Sequence, residues 1–255
     1  DLNWLRSNDY YFNQKEVMEL RGSKVLVRDH GEMIMLSSYS YLGLLGHPRI
    51  DKAAQVAVSS FCTGTHGVRL LAGTTSVHVE LERELARLKN TEAAVAFSSG
   101  YVTNVSAITA IAGRHDHIFG DRLNHASIVD GCTLSGATVH RFRHNDMADL
   151  RRLLEAVPAE SNKLVIVDAV FSMDGDVINL PVLSSLCREF GALLMVDEAH
   201  SFGVLGTTGT GIEEHFGLPP TTIDIKMGTL SKSIPSVGGY IAASEEIVDL
   251  IKHRG

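Results

Sequence analysis

The chain has 255 residues, 44% hydrophobic and 21% charged, with a net charge of −7 when histidine is neutral. That length supports one or two domains with a sizeable core and excludes a disordered, collagenous or disulfide-scaffold chain. The acidic balance argues against broad nucleic-acid binding, no apolar run is long enough for a membrane span, and the scattered Cys62, Cys132 and Cys187 read as reduced core thiols of a cytoplasmic protein.

Residues 1–47 read as an arm: an amphipathic helix, then a hairpin through 25–28 and 33–36 that turns at His30-Gly31. From residue 48 the pattern changes. Val77, Leu81, Leu85 and Leu88 repeat at helical spacing, and 93–97 (AAVAF) is strand-like. Val102, Val105, Ile108 and Ala112 mark the next helix. Strands are expected at 117–120, 137–142, 164–168, 193–197, 224–228 and 239–243. Helices are expected near 127–135, 147–156 and 181–190, and from Ser244. Alternating strands and helices predict an α/β domain over 48–255, with a mostly parallel sheet covered on both faces. Ligand groups then gather where the strands end.

The polar clusters stand at those ends. Ser98-Ser99-Gly100-Tyr101 follows AAVAF, and a glycine turn opening a helix offers free N–H groups to a phosphate, although a serine-rich start can also be plain capping. Asp197-Glu198-Ala199-His200 follows LLMV. It would suit a helicase-type ATPase, but the chain has no Gly-Lys for a Walker A loop. Thr229-Leu230-Ser231-Lys232 sets a lysine after an apolar strand, and a partly buried lysine with a lowered pKa can form an imine. Asp121 through Ser127, near His115, Asp116 and His117, fits no zinc signature, so no metal is expected; the ring of His125 could instead stack on a flat ligand. In order, the phosphate turn, His125, Ser172, Asp197 with His200, and Lys232 supply a cradle, an aromatic face, a donor for a phenolate, an acid for a ring nitrogen and an amine. Pyridoxal 5′-phosphate requires that set.

With these motifs the sequence resembles the α-oxoamine synthases, fold-type I pyridoxal-phosphate enzymes. The matches run in order: Tyr41-Leu42-Gly43-Leu44; Arg69 with Gly73-Thr74 and His78 to Glu82; Ser99-Gly100-Tyr101 with Asn104; 121–127; His144-Asn145-Asp146; 171–176; 197–201; and 229–232. The resemblance implies a homodimeric acyltransferase that condenses an amino acid with an acyl thioester, of CoA or an acyl carrier protein, with loss of carbon dioxide. It implies that Lys232 holds the cofactor and serves as acid and base, and that Asp197 pairs with the pyridine nitrogen. His200 and Ser172 flank the phenolic oxygen and His125 stacks on the ring. Ser99, Gly100, Tyr101 and Thr229 hold the phosphate, with Thr229 reaching it from the partner subunit.

The chain departs from the family pattern at three places. Ser40 stands where many members carry Asn, and Val68 stands before Arg69 where several carry Ser or Thr, so the amino-acid pocket is expected to differ. The combination looks more like synthases allied to polyketide pathways, which can take carrier-bound acyl groups. The chain also ends at Gly255, soon after Lys232, whereas the family continues into a small C-terminal domain, so a truncated protein is expected. The alternatives are an aminotransferase or aldolase on the same fold, or an inactive partner subunit or fragment; Lys232 argues against an idle subunit.

Overall fold

The computed structural model describes residues 2–8, 10–11 and 15–255. The arm begins with a short helix, α1 (Leu2–Ser7), followed by β1 (Val17–Arg21), β2 (Lys24–Val27) and β3 (Gly31–Ile34), which form a three-stranded antiparallel meander. The hairpin forms where expected, but its strands lie closer to the turn, because Val27 pairs with Gly31. Asp29 and Gly31 there take φ of 62° and 77°, the left-handed region that tight turns use. The β1 strand was not expected. None of its residues is buried, so it carries no period-2 pattern to read.

Next come α2 (Pro48–Phe61) and α3 (Ser76–Lys89). Helix α2 starts with Pro at its first turn under a His47 cap, yet buries none of its residues. The sequence stripe on α3 is only half covered: Leu85 is buried and Leu81 partly so, whereas Val77 and Leu88 stay exposed. The inward face is turned toward Ala86 and Lys89, because β4 and β10 lie under that flank.

The main sheet has seven strands in the order β4-β10-β9-β8-β7-β5-β6. In chain order its elements are β4 (Ala93–Phe97), α4 (Gly100–Ile111), β5 (His117–Asp121), α5 (Ala126–Ser135), β6 (Thr138–Phe142), α6 (Met147–Glu155), β7 (Lys163–Asp168) and α7 (Leu180–Glu189). Then follow β8 (Leu193–Asp197), α8 (Ile212–His215), β9 (Ile225–Thr229), β10 (Gly239–Ala243) and α9 (Glu245–Arg254). All pairings are parallel except those of β10, which runs against both β4 and β9. Alternate residues of β7 feed opposite cores. Val165 and Val167 pack with α6 and α7, while Leu164 and Ile166 pack with α4, α5 and α9. A strand covered on both faces must be apolar throughout, which is why LVIV and LLMV carry no alternation. Each fully buried Leu, Ile or Phe contributes about 1.5–3 kcal/mol, so these two layers fix the strand ends firmly.

Cys132 and Cys187 are buried, and burial pushes their thiols up to about 11 and about 12. Cys62 is a correction to the core reading: it is exposed at the end of α2, which has no core beneath it. Among the described residues no helix is long and apolar enough to cross a membrane.

Candidate active site

Asp197 ends β8 and is buried. Its Oδ2 accepts a hydrogen bond from Asn104 Nδ2 at 2.8 Å, and its Oδ1 one from the Ala199 amide at 2.9 Å. Burial pushes its pKa up, opposed by these two donors and by Lys232. Asn104 Nδ2 also donates to Ser127 Oγ at 2.9 Å, and Ser127 Oγ lies 2.7 Å from His125 Nδ1. A single hydrogen-bonded line therefore joins two predicted site residues, His125 and Asp197, through Ser127 and Asn104. The remaining oxygen of Asn104, Oδ1, is buried without a partner.

His125 is the N-cap of α5, exposed at its ring, with its backbone amide donating to Asp168 Oδ2 at 2.7 Å. The neighbouring Asn124 Nδ2 donates to the Ile166 carbonyl at 2.8 Å, which ties this turn to β7.

Lys232 follows β9. Its Nζ lies 2.7 Å from His200 Nε2, and His200 Nδ1 lies 2.7 Å from the Tyr41 hydroxyl. Burial lowers the Lys232 pKa, with the Asp197 and Asp168 charges opposing. Burial, Lys232 and His125 push His200 down to about 4, so its imidazole is neutral at ordinary pH. A lysine so placed reaches its nucleophilic form more readily than a solvated one.

The turn between β4 and α4 is capped by Ser99, whose Oγ accepts from the Val102 amide at 3.1 Å. Thr229 and Gly239 crowd it from the adjoining strands. A Cβ on Gly100 would sit 3.2 Å from Thr229 Oγ1, and one on Gly239 would sit 2.9 Å from Gly100 Cα. Thr229 thus stands beside the turn within this chain. Tyr101 donates its phenol to Asp130 Oδ2 at 2.5 Å, leaving its backbone amide as its contribution to the helix terminus.

Ser172 lies exposed on the turn after β7, and none of these hydrogen bonds reaches it. Ser40 is half-buried and lines a cleft of about 910 Å3 together with Ser231, Lys232, Val25, Met35 and Val237. Val68 is exposed. The Arg69 guanidinium grips the Glu82 carboxylate, with Nη2 3.1 Å from Oε2, and Glu82 Oε1 accepts from the Ala96 amide at 2.8 Å. Arg69 therefore anchors its loop to β4. Sequence reasoning gave no role to Tyr41, Asn104, Ser127 or Asp168. Asp168 carried a usable signal, since it ends an apolar run as Asp197 does, whereas Asn104 stands among Thr103, Ser106 and Thr109 on α4 and carried none.

A parallel α/β sheet with a lysine, a buried aspartate and a glycine turn at its strand ends defines a class of protein. The chain belongs to the aminotransferase class I and II family, whose family model matches residues 31–254. It is 48% identical over 254 residues to the 8-amino-7-oxononanoate synthase of Geobacter sulfurreducens, all of this chain aligning with 64% of that one. It is 43% identical over 250 residues to the serine palmitoyltransferase of Sphingobacterium spiritivorum, covering 98% of this chain and 62% of that one. Among solved structures it is similar to a serine palmitoyltransferase variant from S. paucimobilis with a bound PLP–myriocin aldimine: TM-score 0.94, 33% identity, 99% of this chain and 64% of the other. The chain spans less than two thirds of the length of these relatives.

Proposed function

We propose that this chain is the cofactor-binding part of an α-oxoamine synthase. It would use pyridoxal 5′-phosphate to condense an amino acid with an acyl thioester, of CoA or an acyl carrier protein. In the balance, the α-carbon gives up its proton to a base and forms a bond to the acyl carbon, while the C–S bond breaks and the leaving thiolate takes up a proton. The bond to the carboxylate then breaks, carbon dioxide departs, and the α-carbon takes a proton back to leave an α-amino ketone. The observation that carries this reading is the pairing of a fixed, buried Asp197 with a half-buried Lys232 at neighbouring strand ends.

The residues fit the cofactor. The Gly100–Gly239 approach leaves no room for a Cβ beside the α4 terminus, as a backbone phosphate cradle requires, and the buried carboxylate of Asp197 suits a protonated ring nitrogen. When bound, the cofactor supplies an electron sink for charge at the α-carbon. Lys232 attaches it and moves the α-proton, and Asp197 pairs with the ring nitrogen. His125 covers the ring face, while His200 and Ser172 attend the phenolic oxygen. The amides of Ser99, Gly100 and Tyr101 and the Thr229 hydroxyl hold the phosphate. Ser40 and Val68 shape the amino-acid side, and Arg69 acts there through the loop it anchors.

Residues 1–47 serve as an arm on the 48–255 domain, a division supported by their separate sheets. The exposed Val56, Val58, Phe61, Leu70 and Leu71 on and after α2 support a homodimer that covers this face. A cytoplasmic location belongs to the same reading and is supported by three cysteines that form no disulfide.

Borohydride reduction of the cofactor-treated chain should leave a pyridoxyl group on Lys232 by mass analysis. A label elsewhere, or none, would refute the assignment. Carbon dioxide release that requires an acyl thioester separates a synthase from an aminotransferase or aldolase.

A further inference from the structure

The imidazole of His200 touches a side chain at each nitrogen: Lys232 Nζ at 2.7 Å from Nε2, and the Tyr41 hydroxyl at 2.7 Å from Nδ1. Tyr41 comes from the last part of the arm, between β3 and α2 and far from β8 and β9 in sequence, and its ring reaches solvent. A neutral imidazole has one N–H for two nitrogens. If Nζ is an ammonium, Nε2 must accept and Nδ1 must donate to the phenol oxygen. If Nζ is a free amine, Nε2–H can donate to it, and Nδ1 then accepts from the phenol.

We propose that Tyr41 is a positioning residue of this site: its phenol sets the tautomer of His200 and completes a relay that carries protons between Lys232 Nζ and solvent. The inference rests on the reading of Lys232 as the cofactor-attaching amine. The transfer balances. A proton passes from the Nζ ammonium to Nε2, the Nδ1 proton passes to the phenol oxygen, and the phenol's own proton passes to water. Lys232 becomes neutral, His200 and Tyr41 end uncharged, and one proton has left the site. The reverse order returns it. The surroundings suit relaying over storing. His200 faces Lys232, His125 and Tyr41, and its low pKa keeps it uncharged. Lys232 faces the neutral His200 together with Asp197 and Asp168, and the Asp197 charge above all would otherwise hold its proton in place.

Tyr41→Phe keeps the ring and removes the hydroxyl. In the cofactor-free chain, attachment of added pyridoxal phosphate to Lys232 is followed by its visible absorbance. The variant should attach about tenfold more slowly near neutral pH, reach the same final absorbance, and recover its rate in imidazole buffer. An unchanged rate, or a slow rate that buffer does not restore, overturns the relay. Nitrogen NMR of cofactor-free protein gives a second, independent reading: the His200 tautomer balance should shift in Tyr41→Phe, and unchanged His200 signals overturn the proposal even in a chain that never attaches cofactor. Failure of the wild-type chain to attach cofactor at all would instead refute the functional reading, leaving the NMR result to judge Tyr41. Were the variant to misfold, the wild type alone still decides: its attachment rate in mixed light and heavy water should curve with deuterium content, as several moving protons require, and a linear plot overturns the relay.

Discussion

Asp168 and Asp197 are register partners at the ends of the parallel strands β7 and β8, and both are buried. Two neighbouring carboxylates away from water resist ionising together. Burial, and then the Asp197 charge, push the Asp168 pKa well above the carboxylate range. Asp168 is thus the member pushed further toward its protonated form, while at Asp197 the Asn104 and Ala199 donors oppose the rise. A pKa raised on folding means the native state binds the proton more tightly, so this stabilisation is complete below the unfolded value and is lost as pH rises through the folded one. Asp168→Asn mimics the protonated form and keeps an acceptor for the His125 amide. It should unfold at the same temperature as wild type near pH 4 and at the same or a higher temperature near pH 8. Asp168→Ala, which strands that amide, should be less stable at both. Thermal melts across this range decide it: an Asn variant weakest at high pH would mean Asp168 is needed as a charge.

His144 joins two segments of the site. Its Nδ1 lies 3.0 Å from Asp121 Oδ1 and its Nε2 lies 2.6 Å from Asp176 Oδ2. Asp121 also accepts from the amides of Leu123 and Asn145, so it organises the turn that leads to His125, and Asp176 closes the turn that carries Ser172. Burial pulls the His144 pKa down, but the hydrogen bonds to the two carboxylates outweigh it and the net shift is upward. The contribution of His144 is thus full below its unfolded pKa, about 6.5, and fades as pH climbs through the folded value. Replacing it by Gln should cost about 1–3 kcal/mol by urea unfolding near pH 6 and clearly less near pH 9. Equal costs at the two pH values would contradict a charged clamp.

Lys89 and Glu198 form an ion pair at 2.5 Å with side chains only 2% and 1% exposed, and Lys89 Nζ also donates to the Thr210 carbonyl. Removing one partner leaves an uncompensated buried charge, so Lys89→Met should destabilise the fold by about 3–5 kcal/mol. Adding Glu198→Leu should recover part of that loss by removing the stranded carboxylate. Recovery will be incomplete, because Glu198 Oε1 also accepts from the Ile212 amide at 3.1 Å. Chemical denaturation of the single and double variants measures both terms, and a double variant weaker than the single would refute the pairing argument.

The strand ends could be read because their physics is local. LLMVD and AAVAF are apolar runs broken by polar residues, and a strand covered on both faces leaves no other pattern. Lys232, Asp197, Gly100 and His125 therefore stood out in order. Contacts between elements far apart in sequence could not be read this way. Nothing in Tyr41 announces that its hydroxyl meets His200, and nothing in Asn104 announces Asp197, since both contacts arise only when the sheet closes. The antiparallel insertion of β10 between β4 and β9 was equally hidden, because GYIAA is as apolar as the parallel strands β7 and β8. On α3 the stripe of Val77 and Leu88 misled for the opposite reason. Periodicity reports which face is apolar, and the surface that covers it is another matter.

That hidden β10 insertion has a testable consequence at the glycine turn. Gly239 pairs with Phe97 on one side and Thr229 on the other, so the first residue of β10 faces the start of α4. A Cβ at Gly239 would meet Thr103 Oγ1 at 2.3 Å, Gly100 Cα at 2.9 Å and the Gly100 amide nitrogen at 3.0 Å. Thr103 is fully buried and its hydroxyl already donates to the Ser99 carbonyl, so it has little room to yield, and the backbone of the turn must move instead. Gly239→Ala should cost about 1–3 kcal/mol in stability, the usual range for overpacking. Its larger effect should be on pyridoxal phosphate affinity, lowered by about tenfold or more, because a small shift at a helix terminus misaims several amide donors at once. Gly113→Ala is the control: its nearest neighbour would be Asp116 Oδ2 at 3.9 Å, and it should leave affinity unchanged. Equilibrium dialysis of both variants against the cofactor tests the assignment, and a Gly239→Ala chain that binds as tightly as the control would place the phosphate elsewhere.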